Sequence, residues 1–427
     1  MKKIGRVTLA TILVLGLSIN LFGCENKEKT NGENKPGEVT SGYDSYKEME
    51  NSLVKNISGN TEIEYWYTSE SDTAYLQSAA DVFFERYGIK VTLNLYSGID
   101  YLGDINKANT KDKGPDIFML SNDQIKKANL AGLISENTTF SHKFLRDNYP
   151  SVVKNALTSE EKTYGYPVYF DTCFLVYNSS LVEKAPKTID EILEFANDFE
   201  DTEGNKTIFK WNVADPFYDY MFLGGYTNVL GDFGEDTSNF NVTSDKTIET
   251  MTYFQSLSQY FSMDADDNSY EEIKKEVTEG TLIYSICKTD FLRELANEDS
   301  VYKLAALPKL TTELEISPIS ITYGAMINEY SDNKAAANLF SAFISYEYAD
   351  KEYSTNYKIS CRDNIDRTDD NEKIIFKQYA DSKAIPKALE MGDFWIYSEI
   401  AFKNIWKGKD VKTELTTFQE NMLSKFE

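Results

Sequence analysis

Between Tyr164 and Asn178 the chain reads Tyr-Gly-Tyr-Pro-Val-Tyr-Phe-Asp-Thr-Cys-Phe-Leu-Val-Tyr-Asn, and a lone carboxylate, Asp171, interrupts an otherwise apolar run. β-Branched and aromatic residues predict an extended segment there, and Pro167 fits its first part, where no ladder donor is needed. We read it as a strand that leaves one lobe and enters another with Asp171 at the crossing, which puts the function in the cleft between two lobes. Carboxylate pairs can hydrolyse glycosides, but 69 acidic residues supply pairs anywhere. The single histidine, His142, lies in a polar stretch and reads as a surface residue, leaving little for a triad or a metal cluster. There is no Walker loop, no His-Glu-x-x-His and no Cys-x-x-Cys. Binding is therefore expected rather than catalysis, with neither cofactor nor metal.

The elements that must position such a cleft follow in order. The start, Met-Lys-Lys-Ile-Gly-Arg, then an apolar run from Val7 to Phe22, then Gly23-Cys24, predicts a signal peptide over 1–23. Leu21-Phe22-Gly23-Cys24 resembles the lipobox of bacterial lipoproteins, which implies cleavage before Cys24 and its acylation. Each buried methylene adds about 0.8 kcal/mol, so several acyl chains make a stable membrane anchor. Residues 24–60 are polar and read as a flexible tether, with a short helix at Met49–Ile57. The formal charge of −25 becomes about −28 once Lys2, Lys3 and Arg6 leave with the signal. That excess repels phosphate backbones, so no nucleic-acid partner is expected.

From Thr61 strand and helix patterns alternate. Glu62–Tyr67, Val91–Leu95 and Ile117–Leu120 read as strands, and Leu76–Tyr87 as a helix ended by Gly88, which is the order of a parallel or mixed sheet. Ligands of such sheets bind beyond the carboxyl ends of the strands. Thr188-Ile189-Asp190-Glu191 is a capping box. Leu282, Tyr284 and Ile286 alternate as a strand, Ile321–Asn328 reads as a return strand, and Phe394–Trp406 and Val411–Met422 as closing helices.

Ile63–Leu76, Gly88–Thr92, Gly114–Ile117, Ala131-Gly132-Leu133, Tyr166-Pro167, Val176-Tyr177-Asn178, the Pro186-Lys187-Thr188 helix start, Asn212–Phe217 and Gly392–Trp395 stand in an order and spacing similar to maltose-binding protein and its relatives. These are the extracellular solute-binding proteins of carbohydrate ABC importers, and the resemblance runs from about Thr61 to the C-terminus. It implies an α/β, two-lobed periplasmic-binding-protein type II fold with three interlobe crossings, near Phe170–Asp171, Ser317–Ile321 and Cys361–Asp370. The lobes would be 61–169 with 321–365, and 170–320 with 366–427. It further implies a monomer on the outer side of the cell membrane that closes on a carbohydrate and presents it to permease subunits and their ATPase.

A sugar needs hydrogen-bonding side chains at its rim and flat rings on its faces. Carried over residue by residue, the resemblance places Trp395 as the main stacking ring, with Asp123 and Asp171 accepting hydroxyl bonds. Asp215 and Phe217 match a Glu-Pro-Tyr motif, and Trp66 and Glu70 follow the first strand into the cleft. Tyr218, Tyr323 and Tyr169 are further candidates among 29 tyrosines. Leu120 and Asp290 stand where maltose-binding protein has tryptophans, and Gln124 where it has arginine, which argues against maltodextrin. Asp290 suggests bonds to hydroxyls or to an amino group. The rival readings are a binding protein for a cationic solute such as a polyamine, with Asp123, Asp171, Asp215 and Asp290 as counter-charges, and a surface glycoside hydrolase. Cys173 and Cys287 fall on second-lobe strands, Cys361 elsewhere, and all three read as small buried hydrophobes.

Overall fold

The computed structural model describes residues 42–427 apart from 203, 228, 267–269 and 297–299. The signal peptide, Cys24 and the first part of the tether lie outside the described residues. The strands are β1 (Glu62–Tyr67), β2 (Lys90–Leu95), β3 (Ile117–Ser121), β4 (Thr158–Ser159), β5 (Lys162–Thr163), β6 (Tyr166–Asn178), β7 (Thr207–Lys210), β8 (Leu282–Lys288), β9 (Tyr302–Ala305), β10 (Ile319–Ile327), β11 (Ile359–Ser360) and β12 (Lys383–Ala384). Ten of them form one sheet whose path is β2-β1-β3-β10-β6-β8-β7, and β4 and β5 form a separate hairpin.

β6 joins the two halves of that sheet. Its residues from Tyr166 to Thr172 pair antiparallel with β10, with Asp171 opposite Ile321. From Cys173 onward its partners are β8 and β9. The change of partner falls just after Asp171, so the one polar interruption of the run sits where the two half-sheets meet.

Two cores line the sheet, and the first also takes in Phe174, Val176, Leu282 and Cys287 from the second half-sheet. In the first, the helix Thr73–Tyr87 buries Tyr75, Leu76, Ala79, Ala80 and Phe83, and Gly88 ends it at φ 68°, a conformation that costs glycine little. Phe340, on the helix Lys334–Ala342, meets Tyr65 edge-on at 6.0 Å and Phe83 at 5.0 Å. In the second, the buried helix Pro216–Gly224 packs with Asp245–Leu257 and Met391–Trp406, on which Val411–Phe426 packs in turn, and Trp211 and Trp406 meet at 5.6 Å. The helix Ile189–Asp198 starts at Thr188, whose hydroxyl accepts from the Glu191 amide. After β11, Arg367 donates to the carbonyls of Ser360, Arg362 and Asp363 and lies 3.6 Å over Phe376, which fixes the segment 360–367.

One segment boundary differs from the expectation. The tether read as running to residue 60 has given way by Tyr43, whose amide donates to the Thr139 carbonyl, and a helix follows at Tyr46–Lys55. Tyr46, Met49 and Leu53 recur on one face of it, so it docks: Met49 is fully buried and Tyr46 stacks on Tyr346 at 5.3 Å. The helix Asp370–Ala380 touches both halves: Tyr379 stacks on Phe170 at 3.7 Å, while Gln378 donates to the Cys173 carbonyl and accepts from the Leu307 amide. Phe170 belongs to the part of β6 that pairs with β10 and Cys173 to the part that pairs with β8, so the helix spans the join.

Candidate functional site

The Asp171 carboxylate faces the end of β8. Its Oδ1 accepts from the Thr289 amide at 3.0 Å and from the Thr289 hydroxyl, so the acid of β6 is stitched to the short turn Thr289–Phe291. Asp290 follows in that turn and reaches solvent on one side, yet protein closes around the rest of it. That burial, with the neighbouring Asp171 carboxylate, pushes the Asp290 carboxyl up to about 6 against the opposing pull of Lys288.

Asp215 caps the helix Pro216–Gly224, accepting from the Phe217 amide at 3.0 Å, and Pro216 at the first helical position needs no donor there. The cap sets Phe217 and Tyr218 in the first turn, both buried. Above their rings lies an ammonium that the sequence reading did not single out. Lys288 Nζ stands 5.6 Å from the Phe217 centroid and 5.5 Å from that of Tyr218. Burial pulls its pKa down, but Asp171, Asp215 and Asp290 outweigh it and hold the ammonium above its usual value. The signal for Lys288 was present: a charge ending the apolar strand Leu282–Cys287, at the carboxyl end where ligands of such sheets bind.

On the first-lobe side Tyr323 lines a hollow of about 270 Å³ with Thr68, Ser121 and Gln124. Burial raises the Tyr323 hydroxyl well above its usual value, and the carboxylates of Asp171, Asp123, Asp72 and Asp290 add to it, so acids from both sides act on one phenol. Tyr323 stacks on Tyr169 at 4.7 Å. Tyr169 donates to Asp72 at 3.0 Å, and the buried Asp72 is paired with Lys358, whose ammonium lies 3.9 Å over the Tyr169 ring. Neither Asp72 nor Lys358 was read from the sequence; the two are 286 positions apart.

Of the residues named from sequence, Asp171, Asp290, Asp215, Phe217, Tyr218, Tyr323 and Asp123 act on common neighbours. Asp123 is half-buried and accepts from Gln124 at 3.0 Å. Trp66 is engaged elsewhere: its ring stacks on Tyr96 at 5.9 Å and its indole N–H donates to Glu64 at 2.6 Å. Glu70 is exposed on the turn after β1. Trp395 is half-buried against Phe394 at 5.0 Å, and its described ring contact is with that neighbour. Cys173 lies opposite Lys288 and Cys287 opposite Phe174, so the two thiols point to opposite faces of the sheet, one into each core. Among the described residues no three His, Cys, Asp or Glu side chains gather as metal ligands, and no helix is long and apolar enough to cross a membrane.

The sequence profile of the family described as bacterial extracellular solute-binding protein matches residues 67–345. A maltooligosaccharide ABC transporter solute-binding lipoprotein of Streptococcus pneumoniae is 23% identical over 378 residues, 84% of this chain and 89% of its own. A maltodextrin-binding protein of Bacillus subtilis is 21% identical over the same shares. Among solved structures, an extracellular solute-binding protein of Staphylococcus aureus in complex with maltose superposes with a TM-score of 0.76 at 21% identity, covering 87% of this chain and 99% of that one. These matches fix the architecture as the two-lobed α/β fold.

Proposed function

The chain belongs to the bacterial extracellular solute-binding proteins, and we propose that it is the lipid-anchored receptor of an ABC importer that captures a carbohydrate between its lobes. The observation that carries this reading is the convergence of Asp171, Asp290, Asp123 and Lys288 with the rings of Phe217, Tyr218 and Tyr323 at the join of the half-sheets. Carboxylates accept from sugar hydroxyls, the ammonium donates to them, and the aromatic surface covers C–H faces. A ligand touching both walls favours the closed form, because only that form makes both sets of contacts.

The relatives named for maltooligosaccharides make these the first ligands to test. Leu120 and Asp290, in place of aromatic rings, favour recognition by hydroxyl bonds over extended stacking. In this reading Cys24 carries the acyl anchor, the protein works as a monomer outside the membrane, the permease subunits and their ATPase receive the loaded form, and the ligand leaves unaltered. Calorimetric titration with maltotriose, alongside a thermal-shift screen of sugars, amines and amino acids, tests it. The expected result is saturable binding of a neutral sugar with little salt dependence. Stabilisation by amines alone, or release of a cleaved glycan, overturns it.

A further inference from the structure

An ammonium above two aromatic rings and among carboxylates is an arrangement by which proteins capture amines. In this cleft the chain's own Lys288 takes that place, 5.6 Å from the Phe217 centroid and 5.5 Å from that of Tyr218, with Asp171, Asp215 and Asp290 acting on its charge. Among the described residues none of the three closes on it as a direct ion pair: Thr289 engages Asp171, and the Phe217 amide engages Asp215. Lys210 shows the alternative in the same lobe, paired with Glu276 at 2.8 Å and Glu272 at 3.0 Å. The register also roots Lys288, since its backbone lies opposite Cys173 at the last rung of β8, one residue before the turn that Asp171 holds.

We propose that Lys288 is the specificity-determining residue of the cleft: it fills the seat an amine ligand would take, so the acidic site admits neutral, hydroxyl-rich sugars and turns cationic solutes away. Four acids of the site, Asp123, Asp171, Asp215 and Asp290, would otherwise attract a diamine. With the ammonium in place, an incoming amine meets a like charge on the rings it would use. A hydroxyl instead finds a donor and acceptors side by side. The sugar half of this inference rests on the function proposed above; the amine half does not.

The test compares wild type, Lys288→Met and Lys288→Arg, each titrated with maltotriose and with putrescine at low and at high salt. Methionine keeps a long apolar stem over the rings and removes the charge, whereas arginine keeps the charge. Lys288→Met is expected to bind putrescine at least about tenfold more tightly than wild type does, an affinity that salt weakens, while Lys288→Arg still rejects it. A folded Lys288→Met that gains no putrescine affinity overturns the proposal. Lys288→Gln carries the same test if the methionine variant does not fold, and failure of both to fold makes Lys288 a structural residue, which overturns it too. If wild type binds neither maltotriose nor any sugar of the thermal-shift screen but Lys288→Met gains the amine, the carbohydrate reading fails and the role of Lys288 stands; sugar binding without any amine gain gives the reverse.

Discussion

The two walls of the proposed cleft use the same ingredients, a lysine, aspartates and aromatic rings, to opposite ends. On the first-lobe wall Lys358 closes directly on the buried Asp72, lies over Tyr169, and Tyr169 in turn supports Tyr323. Charge there is satisfied within the protein and braces a ring. On the second-lobe wall Lys288 stays above Phe217 and Tyr218 with no ion pair among the described residues, and Asp290 keeps a side open to solvent. What separates a strut from a binding seat is whether the ammonium has already met its carboxylate.

Removing each lysine in turn separates the two roles. Lys358→Met leaves Asp72 buried without its cation and should cost about 3 kcal/mol in urea unfolding at neutral pH. Burial already raises the Asp72 carboxyl against the pull of Lys358, so the variant should protonate it more readily; the loss then grows as pH rises and shrinks as it falls. Lys288→Met should cost less than about 1 kcal/mol in the same assay. Equal losses would erase the distinction between the walls.

Next in size is Asp171→Ala. It removes the acceptor for both Thr289 donors and the acid at the join, and should weaken sugar binding by about ten- to hundredfold in calorimetry. An unchanged affinity would move the ligand away from this join.

A third test concerns the first wall from behind. Glu352 is fully buried, accepts from Asn356 at 2.7 Å, and is pushed up to about 8 from 4.5, first by burial and then by Asp72. Because the folded value is raised, its contribution is complete below about pH 4.5 and is lost as pH rises through about 8. Stability should therefore fall by up to about 1 kcal/mol per pH unit in that window, and Glu352→Gln should flatten the slope. A slope that survives the substitution assigns it to other groups. The smallest effect expected is that of Trp66→Ala on sugar affinity, within about twofold, since its ring is engaged by Tyr96 and its N–H by Glu64. A loss comparable to that of Asp171→Ala would restore Trp66 to the cleft.

What the sequence made legible was local. Gly88 ending its helix, the Thr188–Glu191 cap, and the strand–helix alternation each depend on residues a few positions apart, and the structure shows them where expected. Asp171 stood out because a carboxylate in an apolar run needs a reason. Trp66 shows the limit: stacking on Tyr96 or on a ligand demands the same residue type, and only tertiary contacts choose between them. Asp72 and Lys358 are far apart in the chain, and the helix Asp370–Ala380 meets Phe170 through packing that no periodicity announces. Lys288 was readable as a strand-terminal charge, but its meaning came from rings 70 and 71 positions away in sequence.

The three described thiols carry a practical consequence. Cys173 lies in one core, Cys287 and Cys361 in the other, all are buried, and burial raises each above its usual value. A thiol-reactive dye added in pulses during denaturant titration would therefore mark which core opens, Cys173 reporting on one and Cys287 with Cys361 on the other, with no engineered label.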